Sequence, residues 1–371
     1  MKSPRKPASN WAIAAISLIL LAALAYAIRL CQKSSSLAPG GQEEWSFLKT
    51  QSDYYIADPI AGHLHRPYAR RELPWQEHEK GRIVMRTNNL GFRADADTAT
   101  QKPDGSVRVL VTGDSNIDGV LYNDESFPSR LECLLNSAGA DKAFEVLNGG
   151  TGYYCPQNYS GFLRRHLFLR PDVFVVVFYA GNDFVETLLV AEHKGEFRSP
   201  QRPAGYYAKL REAESAVPGC VGQGLNQIYC FKRFPAVKAP VLELAAKEFE
   251  AIRDLCRREE IGLLVLALPT KLEVEWDSDK DRLNRARAML DLSDEDLGIN
   301  QELTQSLLAR LKEMGITCLN LLDSMKGKDE ALFWKTDHHL NPKGHALLAD
   351  VVFHLLSPNG QGTDGRNWIP R

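Results

Sequence analysis

Four short stretches hold residue types that can carry out acyl transfer: Gly113-Asp114-Ser115-Asn116, Asn148-Gly149-Gly150-Thr151-Gly152, Gly181-Asn182-Asp183 and Asp337-His338-His339-Leu340-Asn341. A serine hydroxyl is a poor nucleophile until a base takes its proton, and an imidazole does this when a carboxylate fixes its tautomer and stabilises the imidazolium. Asp337 and His339 stand two residues apart, and side chains at i and i+2 of an extended segment face the same way, so this pair can meet while His338 points elsewhere. Ser115 is then the candidate nucleophile, His339 the base and Asp337 the charge-stabilising acid. Acyl transfer also builds charge on an oxygen, and donors aimed at that oxygen lower the barrier. The N–H groups of Ser115 and Gly152 and the side-chain amide of Asn182 can form such an oxyanion hole, with Gly150 an alternative to Gly152. Each stretch has a plainer reading as well: Ser115 as a helix cap or turn residue, Asn341-Pro342 as a helix entry, the glycines as turns. His345, one turn into the following helix, reads as structural.

These groups can meet only if the fold brings the four stretches to one edge. From Val107 onward, β-branched runs at 107–112, 143–148, 172–179, 262–268 and 316–322 alternate with helical patterns at 126–137, 157–169, 241–260, 299–314 and 343–356. That alternation is the signature of crossover βαβ units and a parallel sheet. Runs that are apolar throughout, such as DVFVVVFY, suit central strands covered on both faces. Ser115 and Asn182 then follow the carboxyl ends of strands, where open α/β sheets bind their ligands. Residues 193–240 and 271–298 are polar and weakly patterned, and read as loops or lids over the site. Upstream, 45–104 is rich in aromatic residues and prolines, ends in the strand-like RIVMRTNNLGFR, and reads as a small β-rich leader before a domain at 105–360. His63 and His65 alternate on an extended piece of this leader; they could ligate a metal but read as surface or packing histidines.

The 45 basic and 47 acidic side chains nearly cancel, for a net charge of -2, and beyond the N-terminus no basic block forms a phosphate-tracking surface, which argues against a nucleic-acid partner. Trp11 to Ile28 carries no formal charge and as a helix would cover about 27 Å, close to a bilayer core. Lys2, Arg5 and Lys6 precede it, a bias that keeps the N-terminus in the cytosol and sends the remaining chain across the membrane. Residues 1–30 are therefore a transmembrane anchor or, since Ala25-Tyr26-Ala27 has the form of a cleavage site, a signal peptide. Both readings put the chemistry outside the cytoplasm, on a membrane-anchored protein in the first case and a secreted one in the second. Residues 31–44 are rich in Ser, Gly and Pro and read as a flexible linker. Cys220 and Cys230 flank a Gly-rich loop short enough for a local disulfide in an oxidising compartment. Cys133, Cys256 and Cys318 read as small buried hydrophobes, and no cysteine or histidine spacing suits a structural zinc.

In order along the chain, GDSN, the Gly loop, GND and DHHLNPKGH resemble the blocks of the SGNH/GDSL hydrolase family, over roughly residues 105–356. The GHLHRP…NNLGFR stretch is similar to the leader of membrane-linked bacterial members. The resemblance implies a three-layer α/β/α sandwich of flavodoxin-like character with a five-stranded, mainly parallel sheet. It also implies esterase or acyl-hydrolase activity, with Ser115 as nucleophile and Ser115, Gly152 and Asn182 as the oxyanion hole. The common family spacing is Asp-x-x-His, but Thr336 stands three before His339, so the acid must be Asp337 in an Asp-x-His variant of the kind seen in alginate-acetylation relatives.

The expectation is a serine esterase working through an acyl-enzyme and removing acyl groups, acetyl foremost, from an envelope or extracellular carbohydrate. An O-acyltransferase using the same triad and a non-catalytic binding module on the same fold are the alternatives. The chemistry requires no metal or organic cofactor. The expected partners are an acylated small molecule or glycan and, through the N-terminal helix, a membrane.

Overall fold

The computed structural model describes residues 51–138, 142–219, 221–275 and 280–357. The expected membrane segment at 1–30 and the linker at 31–44 lie outside these residues, as does Cys220 of the expected disulfide. Among the described residues no helix is long and apolar enough to cross a membrane.

The leader folds as two small antiparallel sheets. Strands β1 (Tyr55–Asp58) and β2 (Gly62–His65) form one hairpin, and β3 (Arg70–Pro74) and β4 (Arg82–Arg86) form the other. Two-stranded ribbons of this size are not stable alone in water. They are held by what their side chains grip: Ile83, Val84 and Met85 of β4 are buried, as are Tyr54, Tyr55, His63 and His65.

The aliphatic runs downstream form one five-stranded sheet of order β6-β5-β7-β8-β9, built from β5 (Val107–Gly113), β6 (Phe144–Asn148), β7 (Val173–Tyr179), β8 (Gly262–Leu268) and β9 (Thr317–Asn320). Every neighbouring pair is parallel, so the expected mainly parallel sheet is wholly so. Every residue of β5 and β7 is buried, which explains why these strands read as continuous apolar runs. Alternate residues serve the two faces. Leu110, Phe174, Val176 and Val265 share one core with residues of helices α3 (Pro156–His166), α7 (Lys238–Arg258) and α10 (Ile299–Glu313). Val109, Val175, Val177 and Leu264 share the other with α2 (Phe127–Ser137) and α12 (Pro342–Leu356).

Two stretches expected as loops are in large part helical. Residues 193–240 contain α5 (Tyr206–Ala216) and α6 (Leu225–Arg233), and 271–298 contain α8 (Lys271–Val274) and α9 (Lys280–Met289). The helix α4 (Asp183–His193) likewise follows β7 directly. Leu225, Ile228, Tyr229 and Phe231 of α6 are buried in the same core as α7, so this stretch is part of the domain body rather than a solvated loop.

Candidate active site

Strand β5 ends in a tight turn into α1 (Ser115–Asp118), and Ser115 is the first residue of that turn. Asp114 caps it, its Oδ1 accepting the Asn116 N–H at 2.9 Å. Burial raises the Asp114 carboxyl to about 6, against the pull of that hydrogen bond and of the charge on His339.

The opposite wall is a hairpin tip. Phe333 and Leu340 form an antiparallel bridge, and the Trp334 N–H donates to the His339 carbonyl at 3.0 Å. His339 Nε2 lies 2.9 Å from Ser115 Oγ, and His339 Nδ1 is hydrogen-bonded to Asp337 Oδ1, which also accepts the His339 backbone N–H at 2.8 Å. Three expected residues thus form one chain of hydrogen bonds, with Asp337 as the carboxylate that reaches the imidazole. Thr336, at the commoner acid position, turns away and donates to Glu77. Burial opposes charge on His339, but the Asp337 carboxylate outweighs it and holds the imidazole above its ordinary value. Burial likewise disfavours charge on Asp337, and His339 overcomes it and holds the carboxyl well below its usual range. His338 stacks beside His339 and over Tyr179, and burial pushes it down to about 3, so it stays neutral.

The loop after β6 holds the two glycines expected as alternative backbone donors, and their surroundings differ. The Gly150 N–H donates to Asn148 Oδ1 at 3.1 Å, and a Cβ on Gly150 would lie 2.4 Å from the Asp118 nitrogen, so this glycine is there for close packing. The Gly152 N–H has no hydrogen-bond partner among the described residues, and a Cβ on Gly152 would lie 3.9 Å from Ser115 Cβ. Asn182 sits at the carboxyl end of β7, the strand beside β5. Its Nδ2 donates to Glu186 Oε1 at 2.8 Å, which engages one of its two protons, and its Oδ1 is buried without a partner among the described residues.

Several residues that the sequence reading did not single out hold these parts in place. Lys271, only 1 % exposed, donates through Nζ to the carbonyls of Trp334 at 2.9 Å and Lys335 at 2.7 Å. Glu77 of the leader accepts the Thr336 N–H at 2.9 Å together with the Lys335 N–H and the Thr336 hydroxyl. Asn116 Oδ1 accepts the Leu340 N–H at 3.2 Å, tying the serine turn to the histidine hairpin. Beneath Ser115, Asp118 gathers Arg93 Nη1 at 2.8 Å, His65 Nε2 at 3.2 Å and the hydroxyls of Tyr55 and Tyr54 at 3.2 and 3.3 Å. Arg93, fully buried, also reaches the carbonyls of Asp118, Gly119 and Leu121 and the side chain of Asn123. Each of these partners lies far from its mate in sequence, and the only signal was an arginine and paired histidines inside an aromatic stretch.

Of the two leader histidines, His65 Nε2 meets Asp118, and His63 Nε2 meets the Gly152 carbonyl at 2.8 Å. Among the described residues one cluster, Asp337, His338 and His339, has ligand atoms close enough to share an ion, but both nitrogens of His339 are committed to Ser115 and Asp337. His345 is structural, as expected: fully buried, its Nδ1 accepts the Phe127 N–H at 3.0 Å, and burial lowers it to about 3.

Residues 233–367 match the family model described as the SGNH hydrolase-like domain of the acetyltransferase AlgX, a stretch that contains Asp337 and His339 but not Ser115. No curated protein matches the chain significantly. Among solved structures, a lipolytic protein of the G-D-S-L family from Desulfitobacterium hafniense DCB-2 is 16% identical over 67% of this chain and 98% of its own, with a TM-score of 0.37. The acetyl xylan esterase AlAXEase is 13% identical over 67% of this chain and 98% of its own, with a TM-score of 0.40. The two-domain esterase CEX, active on acetylated mannans, is 12% identical over 67% of this chain and 48% of its own, with a TM-score of 0.37. By the family match, residues 233–367 are similar to an SGNH hydrolase-like domain.

Proposed function

We propose that the protein is a serine ester hydrolase that removes acyl groups, acetyl foremost, from an envelope or extracellular carbohydrate. The observation that carries this reading is the run Ser115 Oγ, His339 Nε2, His339 Nδ1, Asp337 Oδ1 at the carboxyl edge of a parallel sheet. Ser115 Oγ attacks the ester carbonyl carbon while its proton passes to His339 Nε2. The carbonyl oxygen takes up the electron pair and is met by the N–H groups of Ser115 and Gly152 and by Asn182. Collapse of this adduct breaks the ester C–O bond, and the imidazolium returns its proton to the departing sugar oxygen. Water then attacks the acyl-enzyme with His339 again taking the proton, which releases the carboxylic acid and restores Ser115. Asp337 stays ionised throughout and stabilises the imidazolium, consistent with its lowered and the histidine's raised proton affinity.

A fluorophosphonate should label the purified protein, and Ser115→Ala should abolish both labelling and hydrolysis of an aryl acetate; a Ser115→Ala variant that retains either disproves the reading. The match to the acetyltransferase AlgX favours a second outcome of the same acyl-enzyme, in which a sugar hydroxyl replaces water. Given an acyl donor and a glycan, a transferase forms more glycan ester than free acid. The uncharged stretch from Trp11 to Ile28 supports an extracytoplasmic site on a membrane-anchored or secreted chain, which protease accessibility in intact cells tests.

A further inference from the structure

The leader touches three parts of the proposed site. It meets the serine turn through Asp118, the histidine hairpin through Glu77, and the Gly loop through His63. The third contact bears on the chemistry in a specific way. A backbone N–H and the carbonyl of the same residue lie on two different peptide planes, linked only by that residue's φ and ψ. The Gly152 N–H is therefore aimed only where the chain is anchored on both sides of it, upstream through the Thr151 N–H on the Gly113 carbonyl and downstream through the Gly152 carbonyl on His63. Glycine has more such freedom than any other residue, so an unfixed Gly152 would be a poor donor to a developing charge.

The fixing is thorough. His63 is 1 % exposed and its Nε2 lies 2.8 Å from the Gly152 oxygen. Because a carbonyl only accepts, this nitrogen carries the proton, and the ring is the Nε2–H tautomer. Its backbone is fixed in turn, the Tyr154 hydroxyl donating to the His63 carbonyl at 2.5 Å. The ring also packs edge-on against Tyr55 and Tyr154, with centroids 5.4 and 5.0 Å away. On the other side of the loop the Thr151 N–H donates to the Gly113 carbonyl at 3.0 Å. The hydroxyl of Tyr55 stands 2.7 Å from where a Gly152 Cβ would be, so the glycine is enclosed from the leader side. Burial holds His63 down to about 4, so it remains a neutral donor across the working range of a histidine base.

We propose that His63 is a positioning residue for the oxyanion hole: its Nε2–H holds the Gly152 carbonyl and thereby aims the Gly152 N–H at the charge that develops on the ester oxygen. This rests on the proposed serine chemistry and adds to it that the leader is part of the catalytic unit, not a cover for it.

The test uses the full chain in four forms: wild type, Ser115→Ala, His63→Leu and His63→Gln, the last keeping an N–H donor at the end of a side chain of similar reach. The readouts are kcat and KM for an aryl acetate and the inhibition constant of an aryl boronic acid, which adds to the serine and places a charged oxygen where the ester oxygen would be. His63→Leu should lower kcat by about tenfold to hundredfold with KM held within about threefold, since a misaimed donor loses part of what a deleted one loses. Boronate inhibition should weaken by the same factor, and His63→Gln should recover most of both. A His63→Leu enzyme with unchanged kcat and boronate affinity overturns the proposal. So does a His63→Gln enzyme as impaired as His63→Leu while its melting temperature matches wild type. Activity surviving in Ser115→Ala would instead overturn the serine reading beneath it.

Discussion

The parallel sheet and the leader solve different problems by different means. The sheet is held by apolar burial, with every side chain of β5 and β7 shut away from water, and it delivers reactive residues to its carboxyl edge. The leader has two short ribbons that bury Ile83, Val84 and Met85, and it adds polar contacts that converge on Asp118, Gly152 and the 335–336 backbone. Burial is insensitive to direction, so a sheet can place Ser115 and Asn182 on one rim, but hydrogen bonds set angles. The first brings the candidate residues to one rim, and the second fixes the backbone around them.

That contrast can be broken at both ends, and the largest effects belong to the sheet's rim. Ser115→Ala should cost about 10⁴-fold or more in kcat for an aryl acetate, which leaves no hydrolysis above background. Asp337→Asn should cost about as much, and it carries a pH signature. In wild type His339 acts only when neutral, so activity rises with pH through its raised value, above the 6.5 of an ordinary imidazole. Without that carboxylate the burial penalty is opposed only by the charges of Asp114 and Asp118, so the acid limb of the pH–rate profile should move to lower pH. A limb that stays in place would show that another group titrates.

Next comes the leader's buried ion pair. Arg93 and Asp118 have side-chain exposures of 0% and 5%, and Arg93→Met strands the carboxylate, which should lower unfolding stability by about 3–5 kcal/mol in urea titrations. A loss under 1 kcal/mol would mean that the leader is less firmly joined to the serine turn than its contacts suggest. Smaller again is Glu77→Ala. Glu77 is exposed, and its removal frees the Lys335 and Thr336 N–H groups to water, so kcat should fall by about tenfold with little loss of stability. His338→Ala should do least to kcat, since its ring meets His339 only by stacking; a loss rivalling that of His339→Ala would reverse the assignment of the base.

The same contrast decides what could be read from the sequence. The five strands were legible to within one or two residues because β-branched runs are a local signal. β9 is shorter than its apolar run because the Asn320 side chain accepts the Leu322 N–H and turns Leu321 and Leu322 out of the strand. Helices α5 and α6 were missed because neither announces its start: each begins after a glycine in the left-handed region, at Gly205 and Gly224, with no side-chain cap. Ser115, Asp337 and His339 were legible because they follow strand ends or share an extended segment. Arg93, His63, Glu77 and Lys271 were not, because what they do depends on partners that no local pattern reveals; Glu77 and Thr336 stand 259 residues apart.

The 2.9 Å contact between Ser115 and His339 also joins residues 224 positions apart. Such a contact forms late, since the entropy of closing so long a loop must be met by contacts made elsewhere first. Here those contacts include the docking of α12 against α2 across the sheet's second core. A chain emerging from the ribosome therefore displays its serine turn, its Gly loop and most of its sheet before it owns a base. Until the Phe333–Leu340 hairpin and α12 have been made and packed, Ser115 has no imidazole beside it.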